Sequence, residues 1–302
     1  MRTPKELKKA KYTIAQFRLD YPNDAACLDK LFQLRFGNMK HCPKCKSPAQ
    51  FRRVTTRTAY QCRVCYHQMY PTASTIFDKT RTPLTYWFYA MYLMTVTRNG
   101  VSAKELERQL GVTYKTAFRM AHLLRDLMKE TDPEKLLGYV EIDEAIVGPN
   151  KGVRGRSKEK DVVFAMAQRL GNVIALKVDD AKKATVYPII EENVDKSATV
   201  ITDKFKVYDK LWELGYDHKT VNHSMKQYVI DDASTNTVEG FFGQLRRMII
   251  GTHIHISTQH TQKYLDECAF RYNYRFKPST MFDAMINNTL RLVPRTPRSP
   301  FD

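Results

Sequence analysis

Three carboxylates, Asp143, Asp203 and Glu239, occur where predicted strands and a predicted helix could bring them together. Asp143 lies in the segment YVEIDEA at 139–145, which predicts a strand, and Asp203 directly follows a short buried strand at 198–202. Glu239 falls in the first turn of an amphipathic helix that begins at Asn236 and runs to about 250. Carboxylate oxygens suit Mg²⁺ or Mn²⁺. Two such ions could activate a water or a 3′-hydroxyl for attack on a phosphodiester.

Other acidic residues compete for this role, because a chain with 32 Asp and Glu residues supplies plausible spacings by chance. Strand alternation places Glu141 on the same face as Asp143 and Glu144 on the opposite face. We therefore expect Glu144 to be a surface or supporting residue. The sequence pattern by itself leaves three further competitors open, which are Asp209, Asp231 and Asp232.

Basic side chains accompany the carboxylates. Arg246 lies seven residues, or about two helical turns, after Glu239 and so shares its helix face. A guanidinium there could clamp a DNA phosphate, and a solvated surface arginine is the alternative. A Gly-rich basic loop at 148–160 follows the strand of Asp143, and it is either a flexible hairpin or a DNA-backbone contact. Its candidate contact residues are Arg154, Arg156 and Lys158.

Four of the six cysteines form two Cys-x-x-Cys pairs with 16 residues between them. Two such turns can place four thiolates at the corners of a tetrahedron, which zinc prefers. A ribbon this small has little core, so the metal would supply much of its folding free energy. A redox pair or chance spacing is the alternative. The predicted zinc ligands are Cys42, Cys45, Cys62 and Cys65, whereas His41 and His67 are expected to be bystanders and Cys27 and Cys268 buried thiols.

A helix-turn-helix is predicted within 83–131. One helix begins near Pro83, a capping box at Ser102 opens a second, and Gly111 with Thr113 separates the second from a third. The last helix of such a unit enters the major groove by its amino-terminal end. A helical hairpin that packs domains together is the alternative. The candidate DNA contacts are Tyr114, Lys115 and Arg119.

The positive charge is concentrated near the amino terminus. The net charge is +17, and residues 1–82 hold 17 Lys and Arg against 5 Asp and Glu. A polyanion is the natural partner of such a segment, because each neutralised phosphate releases counterions; solubility alone is the alternative. No stretch approaches the roughly 20 apolar residues of a membrane span, and the first residues lack the apolar run of a signal peptide. We expect a soluble cytoplasmic protein without a membrane partner, associated with the nucleoid.

The order of predicted elements indicates a multidomain chain. Residues 1–80 would hold a helical start, over 12–36, and the zinc ribbon; 81–132 the helix-turn-helix; 137–285 a catalytic α/β domain; and 286–302 a tail. After the strand at 139–145, the last domain reads as strands at 162–168 and 172–178, a helix at 184–194, a strand at 198–202, a helix at 207–215, a strand at 219–222 and the helix at 236–250. This order matches a ribonuclease H-like fold, which alone does not give function.

Several motifs run through the chain in one order, between Cys42 and about Arg275. They are HCPKC and YQCRVC, TIFDKTRTPLTYWFYAMYLM, YVEIDEAIVG with GRSKEK, VITDKFKVY, VNHSMKQYV, TNTVEGFFGQLRRMIIGTHIHIS and FRYNYR. Together they resemble the bacterial insertion-sequence transposases that join an amino-terminal zinc ribbon to a DDE catalytic domain. Where that family often has Trp and Lys, this chain has Phe242 and Arg246, which keep the chemical character. His223 and Asn273 also fit the motifs, but we assign neither a catalytic step.

The resemblance implies both residue roles and a reaction. Asp143, Asp203 and Glu239 would bind Mg²⁺ or Mn²⁺, with Arg246 as the basic residue seven positions after the glutamate. The zinc ribbon and helix-turn-helix would recognise the terminal inverted repeats of double-stranded DNA. The enzyme would cleave 3′ ends and join them to target DNA, and pairing two ends suggests at least a homodimer. A transposase-derived DNA-binding regulator and a metal-dependent nuclease that never joins DNA are the alternatives.

Overall fold

The computed structural model describes residues 12–148, 160–221 and 234–291. The chain divides into two compact units. The ribbon unit comprises the described residues of Met1–Thr97, Ala103–Leu127 and Lys277–Asp302, and the sheet unit those of Arg98–Ser102 and Met128–Phe276. Every helix among the described residues is too short or too polar to cross a membrane.

The ribbon unit begins with two helices, α1 (Ile14–Asp20) and α2 (Asp24–Phe36). The prediction of one helical stretch over 12–36 is therefore wrong at its centre. Pro22 lacks a backbone N–H and disfavours helix at the residue before it. The side chain of Asn23 then accepts a 3.0 Å hydrogen bond from the Ala26 N–H and caps a new helix.

A small antiparallel sheet follows, with strands β1 (Phe51–Val54), β2 (Ala59–Cys62) and β3 (Gln68–Met69) in sequential order. Helix α2 packs on it, because the ring of Phe32 stacks on that of Tyr60 at 3.9 Å between centroids. The Arg35 guanidinium donates to backbone carbonyls of the segment after β3, 2.7 Å from those of Pro71 and Ala73. These contacts fasten the ribbon to α2.

Three helices follow in the same unit, as predicted, although the third ends before residue 131. They are α3 (Leu84–Val96), α4 (Ala103–Leu110) and α5 (Tyr114–Asp126). Because the Pro83 cap of α3 provides no side-chain hydrogen bond, Asp24 of α2 accepts 2.8 Å bonds from the Thr85 N–H and hydroxyl instead. The buried side chains of α3 include Trp87, Phe88, Met91 and Met94.

The sheet unit contains the strands β4 (Tyr139–Val147), β5 (Asp161–Gln168), β6 (Val173–Val178), β7 (Thr199–Asp203) and β8 (Asp217–Val221). Their spatial order is β6-β5-β4-β7-β8. The pairs β6–β5 and β5–β4 are antiparallel, whereas the pairs β4–β7 and β7–β8 are parallel. The helices are α6 (Lys183–Asn193), α7 (Asn236–Met248) and α8 (Thr261–Asn273), and α9 (Met281–Asn288) belongs to the ribbon unit.

One predicted helix of the sheet unit, over 207–215, is wrong in type. The chain forms two short 3₁₀ helices instead, Lys206–Tyr208 and Leu211–Leu214. Tyr208 is the buried residue of the first and Leu211 that of the second, and 3₁₀ helices occur mostly as such short pieces. Gly215, with φ of +83°, ends the segment in the left-handed conformation that glycine adopts without strain.

The sheet has a core on each face. Val140 and Ile142 of β4 share one core with Val186 and Ile190 of α6. Residues of β5 at the opposite parity, such as Ala165, pack against α7 and α8. The cross-strand partner of Asp143 is Ala165 and that of Glu141 is Ala167. Strand alternation therefore directs Asp143 and Glu141 toward the face that α7 and α8 cover.

Candidate functional site

The two aspartates of interest lie at the same level of adjacent parallel strands. The last pair of the β4–β7 ladder is Glu141 with Ile201, so Asp143 and Asp203 each lie two residues beyond it. The sequence predicted that Asp203 directly follows the strand, but Asp203 is the last residue of β7 itself. Both carboxylates thus come to one edge of the sheet.

Glu239 lies in the first turn of α7, on the side of the sheet that Asp143 faces. Its side chain is exposed, and its Oε1 accepts a 2.8 Å hydrogen bond from the Thr235 hydroxyl. Arg246 lies two turns further along α7 and is also exposed. The helix therefore presents an acid near its beginning and a base near its end.

Burial and neighbouring charges both raise the pKa of Asp143. The pKa of Asp143 is raised to about 7, chiefly by burial. A hydrogen bond from the Glu144 N–H lowers this pKa, and the charges of Glu144, Asp203 and Glu239 raise it. A carboxyl group that experiences three other negative charges sits in a strongly negative potential. A divalent cation would relieve this repulsion.

The three carboxylates are near one another without forming a closed ligand cage. Across 12–148, 160–221 and 234–291, the four cysteines are the group of His, Cys, Asp or Glu whose ligand atoms all lie within 4.8 Å of one another. The carboxylates of Asp143, Asp203 and Glu239 do not form a second such group. Their oxygen-only donor set still fits Mg²⁺ or Mn²⁺, which keep several waters in place of protein ligands.

The competing carboxylates have other surroundings. Glu141 is fully buried and accepts hydrogen bonds on both oxygens. Glu144 is half-buried; its Oε2 accepts a hydrogen bond from the hydroxyl of buried Tyr208, and burial raises the pKa of its carboxyl. A supporting role for Glu144 stays a prediction. Asp209 is exposed, and Asp231 and Asp232 lie outside the described residues.

The four cysteine sulfurs are arranged as a tetrahedral metal would require. The Sγ atoms of Cys42 and Cys65 are 3.7 Å apart, and those of Cys45 and Cys62 are 3.9 Å apart. Ideal Zn–S bonds of about 2.3 Å place tetrahedral sulfurs about 3.8 Å from one another. These four residues could therefore bind Zn²⁺, and neither His41 nor His67 belongs to the group.

Hydrogen bonds prepare part of the cluster for metal. The Ser47 hydroxyl lies 3.0 Å from the Cys45 Sγ, and hydrogen bonds from Ser47 lower the pKa of Cys45 to about 6. Backbone N–H groups of Cys65 and Val64 lower the pKa of Cys62. Because the thiolate is the form that binds metal, both effects favour coordination. The unpaired thiols of Cys27 and Cys268 are buried, as predicted, and burial raises the pKa of each to about 12.

The candidate DNA contacts of α5 are accessible. Its first turn is capped by Thr113, whose hydroxyl accepts from the Thr116 N–H. On the same helix Tyr114, Lys115 and Arg119 are exposed. The loop residues Arg154, Arg156 and Lys158 lie outside the described residues, as does His223.

The ribbon itself carries a basic surface. No Asp or Glu occurs between Asp29 and Asp78 in the sequence. The exposed basic side chains of this stretch include Lys44, Lys46, Arg52, Arg53, Arg57 and Arg63. A surface of one charge sign concentrates counter-charged partners such as phosphates.

Asn273, which the sequence left without a role, protects the edge of the sheet. Its Oδ1 accepts from the Val173 N–H at 2.8 Å and its Nδ2 donates to the Val173 carbonyl at 3.1 Å. Gln262, also on α8, accepts from the Lys177 N–H and donates to the Ala175 carbonyl. These two amides pair with the outer edge of β6 as a neighbouring strand would, and so keep it from other chains.

Two family models match this chain. Residues 135–273 match the ISXO2-like transposase domain, and residues 22–68 match the transposase zinc-ribbon domain. The chain belongs to the insertion-sequence transposases. The transposase is also similar to an uncharacterized protein in the transposable element ISH50 of Halobacterium salinarum. The two are 27% identical over 271 residues, which cover 82% of this chain and 90% of the relative.

The matched regions contain the groups described above. The transposase domain includes Asp143, Asp203 and Glu239, and the zinc-ribbon domain includes all four cysteines. Helices α4 and α5 of the transposase fall outside both matches. The matches to a transposase domain and a transposase zinc ribbon suggest that the chain binds DNA.

Proposed function

We propose that the transposase uses Asp143, Asp203 and Glu239 to hold two Mg²⁺ or Mn²⁺ ions and catalyses 3′-end cleavage followed by strand transfer. The proposal rests chiefly on one observation. Within a transposase domain, the carboxyl group of Asp143 lies at a sheet edge where Asp203 and Glu239 both raise its pKa. When bound, the ions would supply Lewis acidity and an activated water or 3′-hydroxyl.

The sheet topology supports a ribonuclease H-like fold for this domain. Its first three strands form an antiparallel meander, and β7 and β8 then add in parallel next to β4. Asp143 and Asp203 lie on adjacent parallel strands of a rigid sheet, and Glu239 lies on α7, which packs on one face of that sheet. Rigid elements suit phosphoryl chemistry, because positioning and charge stabilisation provide most of its catalysis.

The protein side chains have distinct tasks in this reaction. Asp143 must lose its proton to bind metal, and the Thr235 hydroxyl holds the Glu239 carboxylate in place. Arg246 is exposed on the same helix and would bind a phosphate oxygen of the DNA by a charge-assisted hydrogen bond. Arg154, Arg156 and Lys158 remain predicted contacts to the DNA backbone.

Recognition of the element ends would fall to the ribbon unit. The four cysteines would hold Zn²⁺, and the basic ribbon and a helix-turn-helix of α4 and α5 would bind the terminal inverted repeats. We propose the functional divisions 1–80, 81–132 and 137–285, with a tail at 286–302. The enzyme would act on nucleoid DNA in the cytoplasm, as at least a dimer when it pairs two ends.

Lys115 and Arg119 provide a test of the helix-turn-helix. Replacing each by Ala should weaken binding to a duplex carrying an element end and reduce the slope of log affinity against log salt by about 1 per lost phosphate contact. Exposed Arg18 on α1 is a matched control, because Arg18→Ala removes the same charge from another helix. Fluorescence anisotropy over a range of salt concentrations would measure both. Equal effects of all three substitutions would refute a specific role for α5.

Cleavage and joining can be assayed directly. The transposase is incubated with Mn²⁺, a labelled duplex that ends in the inverted repeats flanking its gene, and a supercoiled target plasmid. We expect 3′-end cleavage and then label joined to the plasmid. Cleavage without joining would favour a nuclease, and end binding without cleavage would favour a regulator derived from a transposase.

A further inference from the structure

Glu141 lies two residues before Asp143 on β4 and is fully buried. Both oxygens of its carboxylate accept hydrogen bonds. Its Oε1 accepts from the Arg169 Nε at 2.7 Å and from the Thr237 hydroxyl at 2.9 Å. Its Oε2 accepts from the backbone N–H of Thr237 at 2.6 Å and of Val238 at 3.1 Å. With all four donors in place, little of this carboxylate is left to coordinate a cation.

Two of these donors belong to the first turn of α7. Helix starts leave their first N–H groups without partners inside the helix, and Thr235, at the cap position, makes no side-chain bond to them. Glu141 accepts from the second and third N–H groups of the helix and so caps it from a neighbouring strand. The next residue after Val238 is Glu239, so this cap holds the backbone of Glu239 in position relative to β4.

Arg169 extends the connection. Its Nη2 donates to the Ser234 hydroxyl at 2.8 Å and to the Ser234 carbonyl at 3.1 Å, just before α7. Its backbone N–H donates to the Tyr139 carbonyl of β4, and its guanidinium lies 5.2 Å from the centre of the Tyr139 ring. One arginine therefore joins β4, the turn after β5 and the approach to α7.

We propose that Glu141 and Arg169 are positioning residues that set the separation between Asp143 and Glu239, and thereby the affinity of the site for divalent cations. This inference rests on the proposed function of the three carboxylates. Buried ion pairs contribute little net stability, because desolvation offsets their attraction. A pair held between two ligand-bearing elements can instead determine geometry. Groups that orient metal ligands typically change metal affinity about 10- to 100-fold when they are replaced.

The test compares Glu141→Gln with a matched control, Glu267→Gln. Glu267 is equally buried and pairs with buried Arg271 at 3.2 Å, but both belong to α8. Mn²⁺ binding to the full chain is followed by electron paramagnetic resonance, and backbone amide exchange is measured without metal. Glu141→Gln should weaken Mn²⁺ binding about 10- to 100-fold and speed exchange of the Thr237 and Val238 amides about tenfold. Glu267→Gln should change neither.

A second variant keeps the proposal testable if Glu141→Gln folds poorly. Arg169→Lys preserves the positive charge beside Glu141, but an ammonium cannot also reach Ser234 as the guanidinium fork does. We expect Arg169→Lys to weaken Mn²⁺ binding about tenfold. Wild-type Mn²⁺ affinity in whichever of these variants folds would overturn the proposal. Mn²⁺ binding and amide exchange are both measured without DNA. A wild-type chain that fails to cut DNA would therefore refute the proposed function and leave the positioning role of Glu141 and Arg169 to be decided by these two measurements.

Discussion

Replacing Asp143 by Asn should abolish DNA cleavage and strand transfer while leaving binding to element ends intact. The substitution keeps the shape of the side chain and removes an anionic ligand. Metal-ion catalysis supplies several kcal/mol of charge stabilisation and each ~1.4 kcal/mol is a factor of ten, so we expect a loss of about 10³-fold or more. The rate of 3′-end cleavage with Mn²⁺ measures the effect.

Asp195→Asn is the matched control for this experiment. Asp195 lies in the same unit and accepts hydrogen bonds from the Ser197 N–H and hydroxyl, which lower the pKa of its carboxyl. It has no part in the proposed site, so its variant should cut DNA at the wild-type rate. Retained cutting by Asp143→Asn would remove Asp143 from the mechanism.

The same substitution should stabilise the metal-free protein at high pH. The folded-state pKa of Asp143, about 7, exceeds its ordinary value of 3.8. The folded chain therefore keeps a proton that the unfolded chain has released, and stability falls as the pH rises from about 4 to about 7. Asn carries no charge, so Asp143→Asn should melt several degrees above wild type beyond pH 7. A change of ~1 kcal/mol in the free energy of unfolding shifts the melting temperature by roughly 2–4 °C.

This difference in melting temperature should vanish below about pH 4, where Asp143 is neutral in both states. Adding Mn²⁺ should raise the melting temperature of the wild type at pH 8 and leave that of the variant nearly unchanged. Differential scanning calorimetry at a series of pH values provides the comparison. A variant that is less stable than wild type at pH 8 would contradict the proposed crowding of negative charge.

Loss of zinc is the second change from which we expect a large effect. The ribbon has three short strands, and a metal held by its four cysteines would cross-link them. Cys45→Ser or a strong chelator should unfold the ribbon, because metal binding and folding are coupled in such modules. The phosphate contacts of its basic side chains would be lost with it, and end binding should fall about tenfold or more.

His41→Ala is the control for the zinc experiment. His41 is exposed and adjoins Cys42 in sequence, but it does not belong to the sulfur cluster. Elemental analysis should find one zinc per chain in the wild type and in His41→Ala, and much less in Cys45→Ser. The sheet unit should keep its own thermal transition in every case. Unchanged end binding by a chain without zinc would refute the assignment.

Local patterns in the sequence predicted much of the architecture. The spacing of the cysteines anticipated the sulfur cluster, and strand alternation correctly assigned Asp143 and Glu141 to one face of β4. Helix-period patterns and capping residues gave α3, α4 and α5. Strand faces and helix caps depend on neighbours within about ten residues, and the two Cys-x-x-Cys pairs are each a local pattern, so the sequence displays these features directly.

Features that depend on distant partners were not predictable in this way. Arg169 meets Glu141 from 28 positions away, and the Tyr208 hydroxyl meets Glu144 from 64 positions away. The place of Glu141 on the strand is visible in the sequence and predicts a rival ligand, whereas the donors that surround its carboxylate are not visible there. The pattern over 207–215 predicts an α-helix where the chain forms two 3₁₀ helices, since a period of three resembles 3.6 over so few residues.

Asp143, Asp203 and Glu239 should hold a shared pair of divalent cations. Anomalous diffraction from crystals of the transposase grown with Mn²⁺ and a DNA end tests it most directly. We expect two anomalous peaks about 4 Å apart, both within reach of the carboxylates of Asp143, Asp203 and Glu239. Peaks elsewhere, or none within reach of these three side chains, would contradict the account.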